Sequence, residues 1–173
     1  MAHLVYITGG CRSGKSATAQ RLAEQHAGQL LYVATAEVRD AEMAERIKQH
    51  QQVRGVRWLV LEEPVDLASK IPAAAVSCSA ILIDCLTLWL SNLLERHGED
   101  DAVIERDAEA LIMALKSLDA SVYIVSNEVG SGIVPENPLA RRFRDFAGKM
   151  NQLFAEAADE AWLVVSGLPL KLK

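Results

Sequence analysis

The chain has 173 residues, half of them apolar, with 18 Lys and Arg against 23 Asp and Glu and a net charge of −5. That length suits a single α/β domain over residues 1–173, and the acidic balance, with a pI near 5.4, argues against a broad nucleic-acid or anionic-membrane surface, which needs a clustered cationic face. No apolar run approaches the roughly 20 residues of a membrane span, and no basic, cleavable leader precedes the first strand, so a cytoplasmic protein with neither nucleic-acid partner nor membrane span is expected.

The first apolar run, residues 3–8, feeds directly into Gly9-Gly10-Cys11-Arg12-Ser13-Gly14-Lys15-Ser16, which fits the phosphate-binding pattern G-x4-G-K-[ST] at every fixed position. The glycines let the backbone curl until its N–H groups face phosphate oxygens, and the helix expected over residues 17–26 offers its positive end. Lys15 then bridges the β- and γ-phosphates and Ser16 ligates Mg²⁺. Further β-branched or apolar runs follow at residues 30–34, 57–61, 80–84, 121–126 and 161–165. Helical patterns at 41–51, 86–97, 101–118 and 138–158 lie between most of them. This alternation predicts an α/β fold of the P-loop NTPase kind, a mainly parallel sheet flanked by helices. Residues 168–173 alternate around Pro169 and read as a short C-terminal edge strand, antiparallel to its neighbour. Gly98-Glu99-Asp100-Asp101 reads as a solvated turn that caps the next helix.

Ala80-Ile81-Leu82-Ile83-Asp84 is an apolar strand ending in an acid, which puts a carboxylate at the sheet's C-terminal edge, where it can hold Mg²⁺ beside the phosphate loop. Ser126 to Pro138 forms a Gly/Pro-rich loop at that same edge, where loops usually carry substrate. Arg141, Arg142 and Arg144 open the following helix; cations are disfavoured there, which suggests that some of them meet an anion. Of the four histidines, His3 begins a strand, while His26 and His97 end helices. His50 shares a helical face with Glu42 and Arg46, and spacing alone makes it an ordinary solvated residue. Cys11, Cys78 and Cys85 are odd in number and lack CxxC spacing, so neither a disulfide framework nor a zinc site is supported.

Several strings together carry a resemblance. They are Ile7 to Ser16, Tyr32-Val33-Ala34-Thr35-Ala36, Glu42 to Ile47 with His50, Asn127-Glu128-Val129-Gly130-Ser131-Gly132-Ile133-Val134-Pro135, Gly148 to Gln152 and Val165 to Pro169. Nearly end to end, the chain resembles the bifunctional adenosylcobinamide kinase / adenosylcobinamide-phosphate guanylyltransferase family of cobalamin biosynthesis. Cys11 departs from it, standing where members carry another small residue. The resemblance implies two reactions. A nucleoside triphosphate, ATP or GTP, phosphorylates the aminopropanol hydroxyl of adenosylcobinamide; GTP then gives GMP to that phosphate through a guanylylated histidine, yielding adenosyl-GDP-cobinamide and pyrophosphate. By that resemblance the histidine is His50, which overturns the reading from spacing. The resemblance also implies a homotrimer, and nucleotide contacts at Ala34, Thr35, Ala36, Gln51, Gln52, Val53, Arg54, Glu62 and Asp84. Glu62 ends a strand, where a carboxylate can select guanine by accepting from its N1 and N2 hydrogens. Two other readings stay open on the residues alone. One is a P-loop small-molecule kinase without the guanylyl step; the other is a GTP-binding switch, which lacks its Asn-Lys-x-Asp motif here because Asn127 is followed by Glu128-Val129.

Overall fold

A computed structural model describes residues 2–37, 55–98 and 100–173. The elements run β1 (His3–Gly9), α1 (Lys15–Ala23), β2 (Gln29–Ala34), β3 (Trp58–Glu62), α2 (Leu67–Ala74), β4 (Cys78–Asp84), α3 (Leu86–His97), α4 (Asp101–Lys116), β5 (Ser121–Asn127), α5 (Pro138–Ala157), β6 (Glu160–Val165) and β7 (Leu168–Lys171). Six strands and four helices fall where the sequence predicts them, within a few residues at their ends. The helix expected over 41–51 lies outside the described residues.

The strands form one sheet in the order β3-β2-β4-β5-β1-β6-β7. Every neighbouring pair is parallel except β6 and β7, where Trp162 faces Lys171 and Val165 faces Leu168 in antiparallel register. The C-terminal edge strand is thus borne out. From β1 the chain leaves through α1 toward β2 on one side, whereas β5 passes through α5 to β6 on the other. Such a reversal opens a crevice at the carboxyl ends of the strands.

Alternate side chains feed two cores, as period-two geometry requires. Leu4, Tyr6, Leu31, Val33, Ile81, Ile83, Val122 and Ile124 face α2 to α5, while Val5, Ile7, Leu30, Tyr32, Leu82 and Val125 face α1 through Ala19 and Ala23. Burial on both faces explains why β1, β2, β4 and β5 read as nearly continuous apolar runs. Small residues on α1 let it lie close to the sheet, which brings its first turn to the crevice.

Sequence pattern missed α2. Pro72 sits inside it and reads as a breaker, yet Leu67 and Ile71 are fully buried and hold the segment helical against the larger core. Trp89 secures the approach to α2 by donating its Nε1–H to the Val65 carbonyl at 2.8 Å, and its ring stands edge-on to Phe154. The acidic connector caps α4 as expected, with Asp100 accepting from the Val103 N–H at 3.2 Å. α1 ends at Ala23, short of the predicted His26, where Arg57 donates to the carbonyls of Glu24 and His26 and closes the helix end.

Ile81 is fully buried and Val76 is 86% exposed. Replacing Ile81 by Val lowers stability by about 0.5–1.5 kcal/mol. Val76→Ala changes it by less than about 0.5 kcal/mol. Urea unfolding monitored by circular dichroism measures both, with the slope unchanged.

Candidate active site

β1 ends at Gly9 and α1 begins at Lys15, so the glycine motif becomes the turn between them. Two glycines are required by close approach. A Cβ on Gly9 runs into the Val164 carbonyl and comes within 2.6 Å of Ser13 Oγ; one on Gly14, whose φ is +94°, meets the Gly167 Cα at 3.1 Å. The loop closes on itself through the Ser13 N–H to the Gly10 carbonyl at 3.2 Å. It is held from outside by the β6–β7 turn, where the Gly167 N–H donates to the Ser13 carbonyl at 2.7 Å. Ser166 and Gly167 have φ of +52° and +82°, the left-handed pair that a two-residue hairpin turn demands.

Lys15 is buried, and its ammonium donates to the Gly10 carbonyl at 3.0 Å, folded back over the loop. Ser16 turns toward the end of β4, its hydroxyl donating to an Asp84 carboxylate oxygen at 3.3 Å. Tyr32 donates to the other Asp84 oxygen at 3.4 Å. A hydroxyl and a carboxylate side by side at a phosphate loop are the hard oxygen donors that Mg²⁺ takes from a protein when a nucleotide supplies the rest. Among the described residues no cluster of three or more His, Cys, Asp or Glu side chains offers a metal cage, which Mg²⁺ at a nucleotide does not need.

Next to Asp84 the sheet edge is tied down. Thr35 is fully buried, its hydroxyl donating to the Cys85 carbonyl at 2.8 Å and accepting from the Cys85 N–H at 2.9 Å. Asn92 donates to the carbonyls of Thr35 and Pro64. Thr35 therefore joins β2 to the end of β4, and Ala34 and Ala36 flank that joint. Glu62 stands opposite Ala34, which stands opposite Asp84. From Glu62 to β1 there are four strand spacings, roughly 19 Å along the edge. A nucleotide that reaches Glu62 with its base either lies across that edge or occupies a place of its own. His50, Gln51, Gln52, Val53 and Arg54 lie outside the described residues.

The loop after β5 shares the phosphate loop's edge. Asn127 pairs with Gly9 in register, and the Glu128 N–H donates to the Gly9 carbonyl at 3.0 Å. Beneath it runs a polar lattice that the sequence did not reveal. Ser126 Oγ donates to Asn151 Oδ1 at 2.6 Å, Asn151 Nδ2 donates to the Asn127 carbonyl at 3.1 Å, and the Asn127 N–H donates to Thr87 Oγ1 at 2.8 Å. α3 and α5 together fix where the loop leaves the sheet. The three arginines answer differently from one another: Arg142 meets the Asp101 carboxylate at 2.6 Å, while Arg141 and Arg144 take loop carbonyls. Burial pushes the Tyr6 hydroxyl up to about 12, which removes it as a base. Burial, then the neighbouring Asp84 carboxylate, raises the Cys85 thiol, leaving it unreactive.

A glycine loop, a lysine and a hydroxyl–carboxylate pair are common to many nucleotide enzymes, and the whole sequence narrows them. Over residues 5–172 it matches the family described as cobinamide kinase / cobinamide phosphate guanyltransferase. The chain belongs to that family. It is 45% identical to the bifunctional adenosylcobalamin biosynthesis protein CobU of Salmonella typhimurium, covering 98% of this chain and 99% of the relative. It is 41% identical to the protein of the same name from Escherichia coli, over the same shares. With CobP of Pseudomonas aeruginosa it shares 42% identity, over 96% of this chain and 95% of the relative. As a cobinamide kinase and guanyltransferase, the chain is a bifunctional enzyme that works on cobinamide and on nucleotides. No helix among its described residues is long and apolar enough to cross a membrane.

The family member's phosphate loop leans on a hairpin turn, and that gives a test away from the motif itself. Gly167→Val puts a branched side chain at a left-handed position, a strain of about 1–3 kcal/mol. The turn then shifts from Ser13, and GTP affinity, read by titration calorimetry, falls by roughly fivefold to a hundredfold while the circular dichroism spectrum is kept.

Proposed function

We propose that the chain phosphorylates the aminopropanol hydroxyl of adenosylcobinamide and then guanylylates the product through His50, in the cytoplasm and within cobalamin biosynthesis. The observation that carries the kinase half is the Ser16 hydroxyl 3.3 Å from Asp84 beside the lysine-bearing glycine loop. Ser16 and Asp84 would hold Mg²⁺, which when bound neutralises phosphate oxygens. Once a triphosphate draws Lys15 off the Gly10 carbonyl, its ammonium lies against the β- and γ-oxygens and stabilises charge as the phosphoryl group moves. The backbone N–H groups of Gly10 to Ser16 orient the chain of phosphates. ATP or GTP can serve as donor here.

The guanylyl half rests on the family and on His50. An imidazole nitrogen attacks the α-phosphorus of GTP, the bond to the bridging oxygen breaks, and pyrophosphate leaves. An oxygen of cobinamide phosphate then attacks the same phosphorus, the P–N bond breaks, and the imidazole is free again. Neutral imidazole is a competent nucleophile near its ordinary pKa of about 6.5. Gln51, Gln52, Val53 and Arg54 follow His50 closely enough to touch the same nucleotide, and Ala34, Ala36 and Glu62 complete its surroundings. A homotrimer is the assembly this reading assigns, with sedimentation equilibrium as its check.

Incubation with GTP and Mg²⁺ without corrinoid yields one adduct of about 345 Da, stable to base and labile to acid, as a phosphoramidate is. His50→Ala abolishes it; Lys15→Ala lowers corrinoid phosphorylation by orders of magnitude with the fold intact. An undiminished adduct in His50→Ala contradicts the guanylyl route and leaves a plain kinase. Glu62→Gln weakens GTP by roughly 1.5–3 kcal/mol and ATP far less. Equal losses for both nucleotides, measured by calorimetry, assign Glu62 to structure.

A further inference from the structure

Beyond the phosphate loop, the same edge of the sheet opens into a cleft of about 880 Å³ between α3 and the loop leading into α5. Leu94, Val129, Ile133, Leu139 and Phe143 form its apolar wall. Ile133 is 96% exposed and Leu139 64% exposed, a grouping of large apolar side chains in water that marks a binding surface. The volume falls within the range of small-molecule sites.

We propose that this cleft seats the corrin macrocycle of cobinamide, a subsite that rests on the cobinamide kinase reading. Three observations favour that occupant. First, the cleft is anchored beside the glycine loop: its Val129 follows Glu128, whose N–H is bonded to the Gly9 carbonyl at 3.0 Å. A molecule lying against the wall can send its hydroxyl-bearing arm along residues 128–130 to the triphosphate. Second, the lining suits the chemistry of the macrocycle, a broad methyl-covered ring rimmed by neutral amides. Apolar side chains take the ring, and at the margin the Ser91 hydroxyl matches amides as donor and acceptor, while Asn137, whose Oδ1 caps α5 through the Leu139 and Ala140 N–H groups, offers its Nδ2 donors. Third, Arg144 lines the cleft with one guanidinium nitrogen on the Gly130 carbonyl at 2.6 Å, while its Nη1 is buried without a partner among the described residues. A buried charged donor lacking an acceptor is costly. The carbonyl of a corrin amide, or the phosphate on the arm after the first reaction, supplies one.

The test compares wild type with Ile133→Asp, Leu139→Asp and the conservative Ile133→Leu in nucleotide-dependent phosphorylation of cobinamide. GTP affinity is measured by calorimetry and association by sedimentation velocity. Both Asp variants raise the KM for cobinamide by roughly tenfold or more, with GTP affinity, melting temperature and sedimentation unchanged, and Ile133→Leu behaves as wild type. Because both side chains stand mostly in water, these changes do not remove core packing. An unchanged cobinamide KM in both Asp variants overturns the proposal. If that unchanged KM comes with altered sedimentation, a second copy of the chain occupies the cleft instead. A wild type that binds GTP but turns over no cobinamide overturns the cleft and the kinase reading together, which separates that failure from the failure of the cleft alone.

Discussion

A phosphate loop works only if several backbone N–H groups converge on one small volume, and bare backbone does not hold such a curve by itself. Here the curve is held by contact between the two ends of the chain. Gly14 lies so near Gly167 that a side chain on it would press against the hairpin, and the Gly167 N–H fastens the Ser13 carbonyl from that side. Gly9 has no room for a side chain against the Val164 carbonyl. The short antiparallel strand at the C-terminus is therefore more than a cover for the edge of β6: its turn presses on the glycine loop. The rest of the site is arranged around that fixed curve.

From the loop, chemistry is distributed along one edge of the sheet by register. Gly9 is matched with Asn127, and across the sheet Val125, Asp84, Ala34 and Glu62 stand in a row. This row sets Ser16 and Asp84 side by side and places Glu62 several strands away. The same edge thus carries the glycine loop and, several strands away, the Glu62 carboxylate. The lattice of Thr87, Ser126, Asn127 and Asn151 fixes the exit of the loop after β5 at the same edge.

Much of this was legible because it is written in short contiguous strings. The glycine motif, the strand ending at Asp84 and the runs of doubly buried strands each depend on neighbours in sequence, and each was found within a few residues. α2 was not, because Pro72 signals a break and only the burial of Leu67 and Ile71 in the folded chain overrides it. The polar lattice was invisible for a related reason: Thr87 and Asn151 are unremarkable alone, and distant segments must fold together before they meet. The Ser166-Gly167 turn came only with the structure, and nothing local in the sequence said that it would touch Ser13. The arginines at the start of α5 were legible in part: cations there suggested that some meet an anion, and Arg142 does so at Asp101, while Arg141 and Arg144 reach loop carbonyls. His50 is a case apart. Its spacing describes a surface residue, and only the family resemblance gives it chemistry.

The central claim is that the phosphate loop, Ser16 and Asp84 form one metal–triphosphate site. A crystal structure with Mn²⁺ and a non-hydrolysable GTP analogue tests it most directly, because anomalous scattering locates the metal without assumption. The account predicts a single strong peak within coordination distance of Ser16 Oγ, next to the Asp84 carboxylate, with the β-phosphate enclosed by Gly10 to Lys15. A metal held away from both side chains, or phosphates lying outside the loop, would contradict it.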